Sequence, residues 1–111
     1  MFKPRIFLPV SAALEAEYTA LLAQVPNALH TAVLAKSRQA AVLLSAEMLD
    51  ALRFRWWSLP SPLRLRLKDD LRQRYGIDWS QVSLMPCPPV VHQGQRKEGL
   101  LIVDLPVYAP A

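Results

Sequence analysis

Residues 61–76 read SPLRLRLKDDLRQRYG, and this stretch predicts the helix against which the rest of the chain packs. Ser61 is a typical N-cap residue, and Pro62 stands at the first helical position, where a missing N–H costs little. Gly76 is typical of a helix C-terminus. Large apolar side chains recur on one face of this helix, at Leu63, Leu67, Leu71 and Tyr75. The pattern predicts a helix over residues 62–75 that buries this face.

A basic stripe lies on the same predicted helix, at Arg64, Lys68 and Arg72. Like charges at this i, i+4 spacing repel each other by a few tenths of a kcal/mol, so the stripe requires solvent or an anionic partner. Leu65 falls nearly opposite the apolar face and is expected to be exposed or to lie at an interface. Because residues 63–68 also alternate strictly, an amphipathic strand is the competing interpretation.

The basic residues are concentrated in one segment of an otherwise near-neutral chain. Seven of the 13 Lys and Arg residues lie within residues 53–74, where two Asp leave a net charge of +5. The whole chain carries +4, so the remainder sums to −1. A basic segment with aromatic residues on a near-neutral body indicates a surface that meets an acidic partner.

A second helix is predicted over residues 46–58, with Ser45 as its N-cap and Pro60 beyond its end. The apolar face of this helix carries Met48, Leu52 and Trp56. The opposite side carries Arg53, Phe54 and Trp57. These large side chains either complete the core or form a contact surface, for which Trp and Arg are the favoured residue types.

The N-terminal part of the chain predicts a strand, a helix and a hairpin. Residues 2–8 alternate loosely, and Pro4 and Pro9 restrict them to an edge strand. Ser11 caps a predicted helix over residues 12–25, which Pro26 ends. Two short apolar runs, residues 29–35 and 39–44, then suggest a β-hairpin. A single Ala-rich helix through residues 28–44 is the alternative.

The C-terminal part predicts short strands separated by prolines. A strand over residues 79–85 is expected to end at Pro86, and residues 90–91 and 100–105 are expected to flank a polar loop, residues 92–99. Residues 106–111 form a Pro-rich tail. The predicted fold class is α+β: one small domain over residues 1–111, with an antiparallel sheet of about four to five strands packed against about three helices.

Several kinds of chemistry are disfavoured by composition. The chain has one cysteine, Cys87, and two histidines, His30 and His92, too few for a structural zinc site. The three glycines are isolated, so no phosphate-binding loop, cofactor or small-molecule substrate is indicated. A nucleophile pair of Cys87 and His92 is disfavoured because prolines surround the thiol. No apolar run reaches the length that a membrane span needs. The single cysteine favours a cytoplasmic location.

The leading hypothesis is a non-enzymatic binding protein: an adaptor, an inhibitor or a subunit of a larger assembly. Its partner is expected to be another protein or a second copy of the chain. The expected contact residues are Arg53, Phe54, Trp57 and Leu65. The alternative is a nucleic-acid-binding protein in which cationic side chains contact phosphates. Its expected contacts are Arg64, Lys68 and Arg72, extended by Arg96 and Lys97.

Overall fold

The computed structural model describes residues 11–53, 55–56, 59–60 and 62–105. Within these residues the fold contains three α-helices: α1 (Ala12–Leu34), α2 (Ala46–Arg53) and α3 (Pro62–Tyr75). Five strands are present: β1 (Gln39–Leu44), β2 (Arg55–Trp56), β3 (Leu59–Pro60), β4 (Val82–His92) and β5 (Gln95–Asp104). The α+β class and the three helices agree with the prediction. The described sheet is smaller than predicted, because β1, β5 and β4 form it in that order while β2 and β3 pair only with each other.

Helix α3 begins and ends where the sequence predicts. Leu63, Leu67 and Leu71 are buried, whereas Tyr75 is half-buried. The chain leaves the helix at Gly76, whose φ of +67° lies in the left-handed region that favours glycine. The strand alternative for residues 63–68 is therefore wrong, because the capping signals at both ends prevail over the short alternation.

Helix α1 begins at the predicted N-cap, where the Leu14 amide donates to Ser11 Oγ over 3.1 Å. It then continues through Pro26 to Leu34, so the predicted end at residue 25 is wrong. Proline has no N–H to donate to the carbonyl four residues earlier, which here belongs to Leu22. Tyr75 Oη donates to that same carbonyl over 2.7 Å. A hydroxyl from α3 thus replaces the hydrogen bond that Pro26 removes.

The predicted hairpin of residues 29–35 and 39–44 is also wrong, because residues 29–34 belong to α1. The single helix through residues 28–44 is wrong as well, since α1 ends at Leu34 and Lys36 has a φ of 54°. Strand β1 instead pairs antiparallel with β5, from Gln39 opposite Asp104 to Leu44 opposite Gly99. The pairing partner of β1 is therefore β5, a strand distant in sequence, and not residues 29–35 as the local pattern predicted.

Helix α2 starts at the predicted cap, where the Met48 amide donates to Ser45 Oγ over 3.1 Å. Its buried side chains are Met48, Leu49 and Leu52. The helix ends at Arg53 instead of residue 58, because Arg55 and Trp56 pair with Pro60 and Leu59 in a two-residue ribbon. Phe54 and Trp57 lie outside the described residues.

The C-terminal hairpin is longer and more regular than predicted. Strand β4 continues past Pro86, Pro88 and Pro89 to His92, with a register shift between Pro86 and Val90. Proline is tolerated here because β4 lies at an edge of the described sheet, where one row of N–H groups has no ladder partner. The turn is only Gln93–Gly94, with φ values of 52° and 75°. Residues 95–99 are consequently strand, and the predicted loop over residues 92–99 is wrong.

The core lies between the helices and one face of the sheet. Ala40, Val42 and Leu44 of β1 contribute to it, together with Leu101 and Val103 of β5. The predictions for residues 2–8 and 106–111 lie outside the described residues. In the part of the chain that the structure covers, no helix combines the length and hydropathy required to cross a bilayer.

Candidate binding surface

Four basic side chains and one tryptophan define the candidate site, which begins on α3. Arg64, Lys68 and Arg72 follow one another at four-residue spacing, so each lies about 6 Å along the helix axis from the next. Lys68 and Arg72 are exposed and Arg64 is half-buried. Leu65 lies beside this stripe, with 51% of its surface exposed. The surface therefore presents an apolar side chain among cations.

Trp79 reaches this surface through the turn that follows α3. Gly76 reverses the chain, Ile77 is buried, and Asp78 caps a short 3-10 helix, Trp79–Gln81. The Gln81 side chain accepts from the Asp78 amide over 3.0 Å, which completes a capping box. This cap holds the half-buried Trp79 ring beside α3, where the Arg64 guanidinium carbon lies 5.5 Å from the ring centroid. That distance is within the range of a cation–π contact.

Arg53 joins the same surface from a different helix. It is the last residue of α2 and is exposed. A shallow cleft of about 290 Å³, here called the Trp79 cleft, is lined by Arg53, Arg64, Trp79, Val82 and Leu84. Arg53, which was expected to contact a protein, and Arg64, which was expected to contact nucleic acid, thus line the same cleft.

Asp78 lies close enough to the basic stripe for the charges of Lys68 and Arg72 to act on its carboxyl group. Hydrogen bonds from the Ser80 hydroxyl and the Ser80 backbone N–H lower the pKa of the Asp78 carboxyl. The charges of Arg72 and Lys68 lower it further. Within residues 11–53 and 62–105, no salt-bridge partner lies within 4.0 Å of Lys68 or Arg72. The positive charge of the stripe is therefore only partly offset by Asp78.

Arg66 serves the fold and does not belong to this surface. Its Nη1 lies 2.7 Å from Glu15 Oε1 on α1, and its guanidinium carbon lies 4.4 Å from the centroid of the Tyr18 ring. Tyr18 Oη donates to Asp70 Oδ2 over 2.6 Å. These contacts join α3 to α1 on the side of the helix away from the Trp79 cleft.

Arg96 and Lys97 lie on β5, near the tip of the hairpin, and line a different cavity from the Trp79 cleft. Lys97 is only 7% exposed. Its Nζ lies 3.5 Å from Glu17 Oε2 and 3.2 Å from Gln95 Oε1. Arg96 is exposed and pairs with Glu98 over 2.8 Å. Arg96 and Lys97 therefore do not line the same cleft as the stripe on α3. Lys97 forms an ion pair with Glu17 within the protein.

Cys87 and His92, considered from sequence as a nucleophile pair, both lie on β4. Cys87 is half-buried and His92 is exposed, five residues further along β4. In the part of the chain that the structure covers, no three His, Cys, Asp or Glu side chains are grouped as metal ligands would be. Phe54 and Trp57, both predicted contact residues, lie outside the described residues.

Trp79 is the residue that sequence reasoning missed, because residues 79–85 were predicted as one strand. The available signal was the Asp78-Trp79-Ser80-Gln81 pattern, in which an acidic residue precedes a Gln by three positions. That spacing marks the start of a helical turn. It would have placed Trp79 at a capped corner next to the end of α3.

Comparisons with known proteins give this chain no relative: no family model, no curated protein and no solved structure matches it. The function must therefore be inferred from the geometry of the chain itself.

Proposed function

We propose that this protein is a non-enzymatic binding protein that contacts an acidic surface of another protein through the Trp79 cleft and the exposed side of α3. The supporting observation is that Arg53 and Arg64, from two helices, line one cleft with the Trp79 ring. Arg and Trp are enriched among the residues that contribute most to binding energy at interfaces. The contact surface comprises Arg53, Arg64, Leu65, Lys68, Arg72 and Trp79.

Leu65 favours a protein partner over a polyanion. It is 51% exposed beside Lys68 and Arg72. A partner with an apolar patch surrounded by Asp and Glu would bury Leu65 and pair with the cations. Phosphate groups would pair with the cations but would not bury Leu65, because a phosphate offers no apolar surface.

A photo-crosslinking experiment tests the proposal. The full chain, with the photo-crosslinker benzoyl-phenylalanine in place of Leu65, is expressed in the cells from which the protein comes. After irradiation, the crosslinked adducts are digested with either protease or nuclease. We expect one dominant adduct that protease removes and nuclease leaves intact. An adduct of twice the chain mass would identify a second copy as the partner.

Two charge-reversed variants serve as matched probes of the same crosslink. Lys68→Glu with Arg72→Glu should reduce the adduct about tenfold, because the partner then meets repulsion on the binding surface. Lys36→Glu with Arg38→Glu makes the same charge change at exposed positions in the turn between α1 and β1 and should leave the adduct unchanged. Equal loss in both variants, or the absence of an adduct, contradicts the proposal.

Nucleic acid is a second candidate, supported by the placement of Trp79 beside the cationic stripe. Proteins that bind single strands combine a basic track with an aromatic side chain on which bases stack. This candidate predicts binding of oligo-dT that weakens steeply between about 50 and 200 mM salt. Leu65→Ala should not affect such binding, whereas it should weaken binding to a protein. A flat titration at low salt removes this candidate.

A further inference from the structure

The three-stranded sheet has a second face, on the side away from the described helices. The buried side chains of these helices form one core with alternate residues of the sheet: Ala40, Val42, Leu44, Leu101 and Val103. Successive side chains of a strand point to opposite faces, so the residues between these positions point away from the helices. None of the latter belongs to the core or packs against it. They form the outer face, which comprises Ala41, Leu43, Ser83, Met85, Leu100 and Ile102.

Apolar side chains of the outer face lie in adjacent rows across the sheet. Leu43, Leu100 and Met85 lie side by side on β1, β5 and β4. Ile102 of β5 belongs to the next row. Leu43, Leu100 and Ile102 are half-buried, whereas Met85 is 42% exposed. One apolar patch therefore extends across the full width of the sheet.

Strand β5 has the composition of a strand that is covered on both faces. Residues 100–103 read LLIV, so large apolar side chains point to both sides of the sheet. Antiparallel strands with one face in water usually alternate apolar with polar residues, and continuous apolar runs are typical of strands that are buried on both faces. Because β5 is the central strand of the described sheet, its composition indicates that protein covers the outer face.

The charges at the two ends of β5 make the outer face complementary to itself. The alternation that gives this face Leu100 continues to the exposed Arg96 at one end and the exposed Asp104 at the other, each four residues away. The Asp104 carboxylate accepts from Gln39 Nε2 over 3.0 Å, and no Lys or Arg of the described residues lies within 4.0 Å of it. Arg96 pairs with Glu98, but its five N–H groups leave donors for a second carboxylate.

We propose that two copies of this chain pack through their outer faces, with a two-fold axis that crosses β5 at Leu100 and reverses the strand direction. Arg96 of each copy then lies over Asp104 of the other. Packed sheets are about 10 Å apart, a gap that an Arg and an Asp side chain span together. An axis along β5 would instead place Arg96 over Arg96 and Asp104 over Asp104, and like charges in contact disfavour that arrangement.

The size of the outer face predicts a weak, reversible dimer. Three strands about 4.8 Å apart and about 30 Å long give a buried area of roughly 900 Å² over both copies. This area is typical of complexes that form and dissociate readily. The dimer leaves the Trp79 cleft open, because Val82 and Leu84, which line the cleft, point to the opposite face of the sheet. Each dimer thus presents two clefts.

Sedimentation equilibrium of the full chain tests the proposal. Between about 1 μM and about 1 mM, the mean mass of the natural protein should rise from one chain toward two. Met85→Lys places a charge in the apolar patch at an exposed position and should weaken the dimer at least about tenfold. The free energy of unfolding of this variant at low protein concentration should match that of the natural protein, which separates loss of the dimer from loss of the fold.

Two charge-reversed variants test the direction of the axis. Arg96→Glu and Asp104→Arg each bring like charges together twice in a dimer and should dimerise at least about tenfold more weakly. An equal mixture of the two variants restores opposite charges at both contacts, so a heterodimer should form with the affinity of the natural dimer. Arg74→Glu makes the same charge change at an exposed position of α3 and should leave the dimer unchanged.

Three results would overturn the proposal. A natural protein that remains a monomer at every concentration leaves the outer face without a second copy. A dimer that is equally stable in Met85→Lys is joined through another surface, such as the free edge of β1. If the mixture of Arg96→Glu and Asp104→Arg dimerises no better than either variant alone, the two β5 strands do not cross in opposite directions.

Discussion

Tyr18 is fully buried, and its hydroxyl donates to the Asp70 carboxylate over 2.6 Å. Burial and the Asp70 carboxylate together raise the pKa of Tyr18, because both oppose the phenolate. Tyr18 lies four residues after Leu14 and four before Leu22, so its position on the helix puts it on the same face as two apolar residues. The link to Asp70 was not predictable from neighbouring residues, because the two residues are 52 positions apart in the chain.

This raised pKa predicts a stability change at high pH. The neutral phenol is favoured in the folded protein, so its contribution is complete below the unfolded pKa of about 10 and is lost as the pH rises above it. We expect the free energy of unfolding to fall with a slope approaching 1.4 kcal/mol per pH unit, roughly, from this residue alone. Urea unfolding between pH 9 and about 11.5 measures the slope.

The variant Tyr18→Phe isolates the contribution of this hydroxyl. At neutral pH it should lower the free energy of unfolding by about 2 kcal/mol, since a hydrogen bond to a charged group is lost. The free energy of unfolding of this variant should also fall less steeply with pH than that of the natural protein. Tyr75→Phe, which deletes a bond to a neutral carbonyl, is the matched control and should keep the full slope. Identical pH profiles for Tyr18→Phe and the natural protein would contradict the prediction.

At the scale of elements, Pro26 shows how a tertiary contact can override a helix-stop signal. Proline in a helix interior costs about 3 kcal/mol, mainly through the lost hydrogen bond and a clash with the preceding turn. The Tyr75 hydroxyl satisfies the Leu22 carbonyl that Pro26 leaves without its usual donor. Helix α1 can therefore run for 23 residues and reach the start of β1.

A double-mutant cycle tests this compensation. Tyr75→Phe should cost about 1–2 kcal/mol in the natural background, because the Leu22 carbonyl loses its donor. In the background Pro26→Ala, the restored amide of residue 26 bonds to that carbonyl and the same change should cost much less. The expected coupling is about 1 kcal/mol by urea unfolding. If Tyr75→Phe costs the same in both backgrounds, the two residues do not compensate each other.

At the scale of the whole molecule, a nearly buried polar cluster joins α1, the end of β1 and the C-terminal hairpin. Glu17 Oε1 accepts from the Ser45 hydroxyl over 2.6 Å, and Glu17 Oε2 lies 3.5 Å from Lys97 Nζ. Three segments separated by long stretches of sequence meet at these two charges. Their packing determines how the hairpin tip sits against α1.

The cluster predicts an asymmetric response to mutation. Glu17→Gln leaves the Lys97 charge nearly buried without its partner and should cost about 3 kcal/mol. Lys97→Met leaves Glu17 with its two bonds to Ser45 and should cost about 1 kcal/mol. Combining Glu17→Gln with Lys97→Met should restore part of the loss. Denaturant unfolding measures all three variants, and a larger cost for Lys97→Met than for Glu17→Gln would contradict this reading.

The sequence alone determined the features that depend on neighbours along the chain. Local periodicity and capping chemistry are enough to predict the caps at Ser11 and Ser45, the bounds and buried face of α3, the burial of Met48 and Leu52 on α2, and the exposure of Leu65. The α+β class follows from the same signals. The basic stripe on α3 was also predictable, because side-chain direction on a helix depends only on position.

Tertiary structure alone decided the features that depend on partners distant in sequence. The hydrogen bond from Tyr75 allows α1 to continue through Pro26. Strand β1 pairs with β5 instead of with the segment predicted to form a hairpin with it. The three prolines of β4 are tolerated because this strand lies at the edge of the described sheet. Tertiary structure also decided the composition of the candidate site. Arg53 and Trp79 lie on other elements but line one cleft with Arg64 of α3, whereas Lys97 pairs with Glu17 elsewhere in the molecule. A hydrogen-bond donor or a counter-charge acts over a few ångströms of space, and the chain order does not say which residues come that close.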